Sequence, residues 1–523
     1  MASNGIQSVQ KELERKVSLP YQFFLVGISL HILLNFIGTS LVSTSFLFCA
    51  LLAFFSVLYY DWKDALKVLF FLALIEGQGR VLFGYNPLFR ILFDLLVSLA
   101  IFKSFIKQKK FFAFQYMPKF TSTMLLLHFL WFILELFNPD GANIFASFST
   151  AKFYILPFLL LFTHLNNPID VTSEDFQKFV RQFLLAFFAI TLLCIFQKYM
   201  GSDFLNSLSP NYSSLFKKYE FFQGAVFRPW GTSFIAGGFS IFYYLLFGLV
   251  FIYGLDKDGH GRIRARFEYV LLMIFILIGF FVLFISQVRS ALLKTLLVIL
   301  LGFSSGFLKT KFLIRRLLLV FVSIAIVFAS SFVFIRTLPF LDAAFDLDHA
   351  IGRFSALSDT EEVAGARFGP DEVFKIITEG VEYPLGFGLG MTTNFLPDFQ
   401  AARETRKLDI DLSRFWSGDN LIVFFFLELG LGALFILFSY VSFPYYLFSL
   451  SIEALKSRTR SEYFIIAIAF VQAFVIVLGN WGAASIVYNP ESFFFMFWVG
   501  LGFNVFFHGA RRTVEENVNL GKI

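Results

Sequence analysis

Apolar stretches of roughly 15–25 residues recur along almost the whole chain, and the hydrocarbon core of a bilayer takes about 20 residues as a helix. Few folds are open to a chain patterned this way. Lipid offers no partner to backbone polar groups, so each stretch must close its own hydrogen bonds as a helix. One segment of about 80 residues, 338–418, interrupts the pattern. Of the 523 residues, 57% are hydrophobic and 15% charged, and the mean hydropathy is +0.73. So few charges could not cover a soluble protein of this length. The expected fold is an all-α polytopic membrane protein of about 14 transmembrane helices with one large external loop.

The spans centre on 21–39, 41–60, 65–77, 88–105, 121–137, 144–163, 179–199, 232–254, 268–286, 290–308, 317–337, 420–443, 463–480 and 491–508. Between the third and fourth lies GQGRVLFGYNPLFR, whose Gly, Asn and Pro are expected to break the helix. Three parts follow. Residues 1–337 hold helices 1–11 behind a cytoplasmic N-terminus, 338–418 form the large loop, and 419–523 hold helices 12–14. The first 20 residues are polar and lack the apolar core of a cleavable signal, so the first membrane helix is expected to direct insertion.

Charge orients the chain. Lys103, Lys107, Lys109 and Lys110 cluster in one loop, and Lys257, Arg262, Arg264 and Arg266 in another. Lys309, Lys311, Arg315 and Arg316, then Lys456, Arg458 and Arg460, and finally Arg511 and Arg512 continue the series on the same side. By the positive-inside rule that side is cytoplasmic, and 338–418 faces out. The formal net charge of +6 is thereby explained by orientation. No nucleic-acid partner is implied, because the basic residues are dispersed over short loops.

The arginines on the other side stand out. Arg80, Arg228, Arg289 and Arg336 lie at or near outer ends of spans, and Arg353, Arg367, Arg403, Arg406 and Arg414 lie in the large loop. That loop carries 14 carboxylates against 7 basic side chains, so surface salt bridges account for some of them. An arginine near hydrocarbon is costly unless it is paired or lines a polar cavity. Its planar fork fits phosphate oxygens. Arg289 begins a span in SQVRSALLKTLLVIL with Lys294 just inside the same helix, and two cations so placed call for an anionic partner such as a lipid headgroup. Asp94, an acid within a span, suits a structural ion pair or a proton relay. His31 and His128 lie within spans and read as satisfied core residues. Cys49 and Cys194 lie in apolar segments and suggest neither a disulfide nor a zinc site. No metal and no cofactor are expected.

Three patterns occur in order. FRPWGTSFIAGGFS, Phe227 to Ser240, opens a span. SQVRSALL surrounds Arg289. Asp419-Asn420 closes the large loop and leads into LIVFFFLELGLGALF, a long apolar helix carrying Glu428, Gly430 and Gly432. PLGFGLG, Pro384 to Gly390, has no strand–helix unit around it and reads as a tight loop over the membrane surface, not a nucleotide site.

Together these resemble the O-antigen ligase and polymerase superfamily of bacterial envelope enzymes. Its members carry an Arg-Pro-aromatic-Gly-Thr stretch, a Ser-Arg-small segment at a helix start and a large periplasmic loop. That loop often contains Pro-Leu-x-Gly-x-Gly and ends in His-Asn before a Glu-Leu-Gly-Leu helix. The matching residues are Arg228–Thr232, Arg289–Ala291, Pro384–Gly390 and Asn420–Leu431. Asp419 stands where the family's ligases carry His, which weighs toward a polymerase. The resemblance implies a GT-C-like glycosyltransferase in the bacterial inner membrane with its active site facing the periplasm. Its donor would be an undecaprenyl-pyrophosphate-linked oligosaccharide and its acceptor a glycan or lipid A-core, with membrane lipid and a chain-length regulator as further partners.

Arg228, Arg289, Lys294, Arg367, Asn420 and Arg80 would bind substrate. Arg289 would also stabilise the leaving group, and Asp419 would be the general base. Asp419 equally suits an N-cap. A lipid-linked oligosaccharide flippase is the reading of another class. Transporters of that kind usually show two related halves, and no internal repeat is visible here.

Overall fold

The computed structural model describes residues 2–108, 112–138, 152–169, 173–214, 227–253, 262–307, 421–458, 460–479 and 490–519, with short pieces at 147, 150, 171, 377–378 and 384–390 (236 and 387 excepted). Among these residues the regular structure is helical, with no strand. In chain order the helices are α1 (Ala2–Ile37), α2 (Leu41–Tyr59), α3 (Trp62–Leu82), α4 (Pro87–Gln108), α5 (Lys119–Glu135), α6 (Leu156–Asn166), α7 (Glu174–Met200) and α8 (Ser202–Leu208). There follow α9 (Ile241–Tyr253), α10 (Arg262–Ser286), α11 (Arg289–Phe307), α12 (Leu421–Leu429), α13 (Ala433–Ser457), α14 (Arg460–Gly479) and α15 (Glu491–Asn519). Five segments are long and apolar enough to cross a membrane: Pro20–Ile37, Leu41–Tyr59, Glu174–Met200, Leu421–Ser457 and Glu462–Gly479. The expected span 317–337 lies outside the described residues, as does most of 338–418.

Local chemistry sets the helix ends. Ser173 Oγ accepts the Phe176 N–H at 3.2 Å and opens α7, with Glu174 and Asp175 in the first turn where the helix dipole favours acid. Gly201 closes the same helix at φ +78. The carboxyl end of α2 is met by Lys103, whose Nζ donates to the carbonyls of Leu58 at 2.5 Å and Tyr60 at 2.6 Å.

Three details differ from the sequence-based expectation. The α3 helix runs through Gly77 and Gly79 and breaks only at Gly84 and Tyr85, with φ of +63 and +59. Gly77 and Gly79 are packing contacts, since a Cβ on Gly77 would lie 2.8 Å from the Phe234 nitrogen and one on Gly79 would enter the Phe46 ring. Residues 232–235 and 237–240, expected inside a span, form turns and a short 3-10 segment before α9. The long helix expected after Asn420 is interrupted at Gly430–Gly432, where Gly430 has φ +53.

The chain divides into two compact units. Unit 1 is Met1–Gln108, Asp170–Leu292 and Leu318–Ile351; unit 2 is Lys109–Ile169, Leu293–Leu317 and Gly352–Ile523. In unit 1, α7 packs on α1, α3, α9 and α10. Lys67 of α3 joins Asp64 at 2.8 Å and also pairs with Asp175 of α7. The rings of Phe70 and Phe71 meet Phe179 and Phe183 edge to face, with centroids 5.4–6.0 Å apart. Lipid is as apolar as Phe, so such contacts hold helices by fit and not by exclusion of water. In unit 2, α14 packs on both α13 and α15, and α15 packs on α6. There Gly500 lets His164 approach, since a Cβ would lie 2.7 Å from the His164 Cβ.

Candidate functional site

In unit 1 the Arg-Pro-Trp-Gly-Thr segment is a tightly held loop. Gln197, inside the apolar α7, accepts the Trp230 and Gly231 N–H groups at 3.0 and 2.8 Å and donates back to the Gly231 carbonyl at 3.0 Å. Its neighbour Lys198 donates to the Phe227 carbonyl at 2.8 Å. Gly231 and Gly237 take φ of +60 and +72, and the Gly237 N–H closes the turn on the Pro229 carbonyl at 2.9 Å. Trp230 is fully buried and meets Tyr212 edge to face at 5.2 Å. Arg228 is buried at the head of this loop, 7% exposed.

The loop rests on the last turns of α3. Thr232 Oγ1 donates to the Leu74 carbonyl, and the Tyr85 hydroxyl donates to the Phe234 carbonyl at 2.6 Å. Arg80 lies 5.1 Å over the Phe234 ring. Its Nε and one terminal nitrogen donate to the two carboxylate oxygens of Glu76 at 2.8 and 3.0 Å. The sequence reading offered Arg80 to a substrate and did not pair it. The spacing of four residues in EGQGR was the available signal.

Beneath lies a polar network. His31 bonds Ser45 at 2.8 Å and Gln78 at 3.0 Å; Gln78 in turn bonds Asn35 at 2.6 Å and the Tyr212 hydroxyl at 3.4 Å. His31 is thus a satisfied core residue. In α4, Asp94 is also buried.

On its other side the loop meets the turn before α11. A Cβ on Gly237 would lie 2.8 Å from Val288 Cγ2 and 2.9 Å from the Ser286 carbonyl oxygen. Two of the three patterns, separated by about 50 residues of sequence, are therefore in contact within one unit. Arg289 is the first residue of α11. Its side chain lies outside what the structure describes, as do Arg367, Asp419 and Asn420 altogether.

Unit 2 brings together the glycine loop and the broken helix. The Leu431 N–H donates to the Pro384 carbonyl at 2.9 Å, and a Cβ on Gly386 would lie 2.5 Å from the Gly430 nitrogen. Gly386, Gly388 and Gly390 have φ of +63, +86 and +89, so this loop needs glycine for its backbone. Trp131 donates to the Leu429 carbonyl at 3.0 Å. Asn138 donates to the Leu385 carbonyl at 3.1 Å and to Glu135 at 2.9 Å. The Tyr154 hydroxyl donates to Glu428 at 2.6 Å, and both carboxylates are buried. His128 bonds the Tyr154 carbonyl through Nε2 at 3.0 Å. Lys294 is buried in the same unit against Gly479, where a side chain would collide with its Cε. The carboxylates Glu135 and Glu428 and the hydroxyl of Tyr154 had no role in the sequence reading.

These observations define a class: a helical, membrane-embedded protein with a buried basic loop in one unit and a buried acidic loop contact in the other. No family model matches the chain, and no curated protein matches it.

Proposed function

We propose that the chain is a glycosyltransferase of the bacterial envelope that polymerises or transfers oligosaccharide units from an undecaprenyl-pyrophosphate donor. The observation that carries this reading is the close approach of Gly237, in the segment Phe227 to Ser240 that Arg228 heads, to Ser286 and Val288 in unit 1. It joins two patterns that the sequence offered separately, at a glycine with φ +72 that leaves no room for a side chain. The packing of Pro384–Gly390 on Glu428–Gly432 in unit 2 supports it in the same way.

In this reading the chain is GT-C-like and crosses the inner membrane fourteen times, with 338–418 in the periplasm. The acceptor hydroxyl loses its proton to Asp419 and its oxygen bonds the anomeric carbon. The bond from that carbon to the phosphate oxygen breaks, and the electron pair leaves with the lipid diphosphate. Arg228 and Arg289 stabilise that charge, without a metal. Arg80 contributes through its pair with Glu76, which holds the loop's floor.

Three experiments test it. The glycan profile of a deletion strain should lose long chains and keep a single repeat. Unmodified lipid A-core with polymer still on the carrier lipid indicates a ligase instead, and an unchanged profile rejects both. With purified protein, Asp419→Asn keeps a good N-cap and removes the base. Transfer should fall by about 10²–10⁴-fold; near-normal transfer would reduce Asp419 to a cap. For orientation, an impermeant thiol reagent should label Ser358→Cys and not Ser461→Cys in intact inner membranes, and the reverse pattern inverts the topology.

A further inference from the structure

Between α10, which ends at Ser286, and α11, which begins at Arg289, only two residues turn the chain. The first, Gln287, has φ +56. Among the described residues only Tyr85 shares this left-handed backbone without being glycine. A Cβ makes that conformation costly, and glycine is the usual residue just past a helix end. The Gln287 side chain is 3% exposed, and among the described residues neither Nε2 nor Oε1 has a hydrogen-bond partner. Strain and an orphaned donor and acceptor fall on one residue. Glycine at this position would remove both penalties. A residue that opposes folding in two independent ways is expected where function requires it.

The placement names the chemistry. Gln287 stands at the amino end of α11, a helix of 19 residues whose first N–H groups have no partner within the helix. Those groups carry partial positive charge and favour an anion. Facing the turn is the Arg228 loop, close enough that Gly237 has no room for a side chain. A carboxamide, being neutral, offers N–H groups to an anion without repelling it. The shared ligand chemistry is phosphate oxygen, on a lipid or free.

We propose that Gln287 is a ligand-binding residue whose carboxamide N–H donates to a phosphate oxygen seated at the amino end of α11. The proposal rests on the glycosyltransferase reading and adds a residue to its donor site. The strained turn fixes the backbone from which the amide extends, and a phosphate oxygen is the acceptor that its N–H groups lack among the described residues.

The test uses the full-length protein in lipid nanodiscs, with undecaprenyl diphosphate and inorganic pyrophosphate as separate probes. Thermal stability is measured on the same samples. Gln287→Gly relieves the turn, so its melting temperature should equal or exceed that of the wild type. Its binding of undecaprenyl diphosphate should weaken by on the order of tenfold or more, the effect of one hydrogen bond to a charged group. Gln287→Glu is nearly isosteric but offers no donor and repels phosphate, so it should bind more weakly still. An equal proportional loss with pyrophosphate identifies phosphate itself as what the residue reads. Loss with the lipid probe alone, where pyrophosphate does not bind the wild type, identifies the headgroup in its lipid setting.

Full binding by Gln287→Gly overturns the proposal and leaves the glycosyltransferase reading standing. A lowered melting temperature with full binding makes Gln287 a structural residue around a buried water, and also overturns it. If Gln287→Gly is unstable, Gln287→Glu decides, and undiminished binding by that variant rejects the idea. Failure of the wild type to bind either probe removes both the donor reading and this inference.

Discussion

The two units solve one problem, a buried carboxylate in an apolar bundle, in different ways. In unit 1 Glu76 is held by an opposite charge, Arg80, through two hydrogen bonds on a single helix. In unit 2 Glu428 receives the hydroxyl of Tyr154, and Glu135 receives the amide of Asn138. An ion pair inside one helix is fixed by its own backbone. A carboxylate that receives a hydroxyl or an amide from another residue of the bundle is fixed by how those segments pack. The difference teaches how each region is held together. Unit 1 keeps a cation and its loop in place from within one helix; the acids of unit 2 tie side chains of different segments to each other.

The largest expected effect breaks the unit 1 side of this comparison. Glu76→Gln leaves the guanidinium of Arg80, 15% exposed, with a neutral partner. Removing one member of a buried pair costs about 3–5 kcal/mol. The purified variant should unfold at clearly lower temperature or fail to accumulate. The double variant Glu76→Gln, Arg80→Gln should recover much of the loss, since no stranded charge remains. If Glu76→Gln alone is as stable as the wild type, the pair is dispensable and unit 1 is not organised around it.

The next effect sharpens the unit 2 side by disturbing its loop and leaving its charges alone. Gly386→Ala places a Cβ 2.5 Å from the Gly430 nitrogen and 3.0 Å from the Glu428 carbonyl, on a backbone at φ +63. The strain is about 1–3 kcal/mol. Relief requires the Pro384–Gly390 loop to lift from the broken helix. The expected result is faster hydrogen exchange at the Leu431 amide, which donates to Pro384. Exchange should be unchanged at Gln197-bound Trp230 and Gly231. Protection retained at Leu431 would mean that the loop and helix are held by something other than this backbone contact.

Much of this was legible in the sequence, and the failures have physical causes. Apolar length alone located α2 and α14 to within a few residues, because a span's ends are set by where polar residues begin. It failed at Gly430, since hydropathy does not distinguish a glycine that continues a helix from one at which a second segment crosses. It failed oppositely at Gly77 and Gly79, where glycine breaks nothing and admits the Phe234 backbone and the Phe46 ring. For the site, the sequence singled out Arg228, now at the head of a buried loop. It missed Gln197, whose partners lie 33 and 34 residues further on, a distance at which a single polar residue in an apolar helix carries no sign of its role. It also passed over Gln287, because backbone strain is invisible in composition.

The smallest expected effect is the most direct measure of the contrast, since it makes in unit 2 the same chemical change as in unit 1. Glu428→Gln keeps a carbonyl oxygen at the end of the side chain, so the Tyr154 hydroxyl at 2.6 Å can still donate. What is lost is the extra strength of a bond to a charged acceptor, about 1 kcal/mol. The melting temperature should therefore move far less than for Glu76→Gln. Tyr154→Phe supplies the control, because it removes the donor from either form of residue 428. If Glu428 carries a charge that a buried cation balances, Glu428→Gln strands that cation, and the loss rises to the size seen at Glu76. A measured loss of that size would erase the distinction between the units. A small loss leaves the distinction standing, with the Tyr154 hydroxyl bond surviving in the amide.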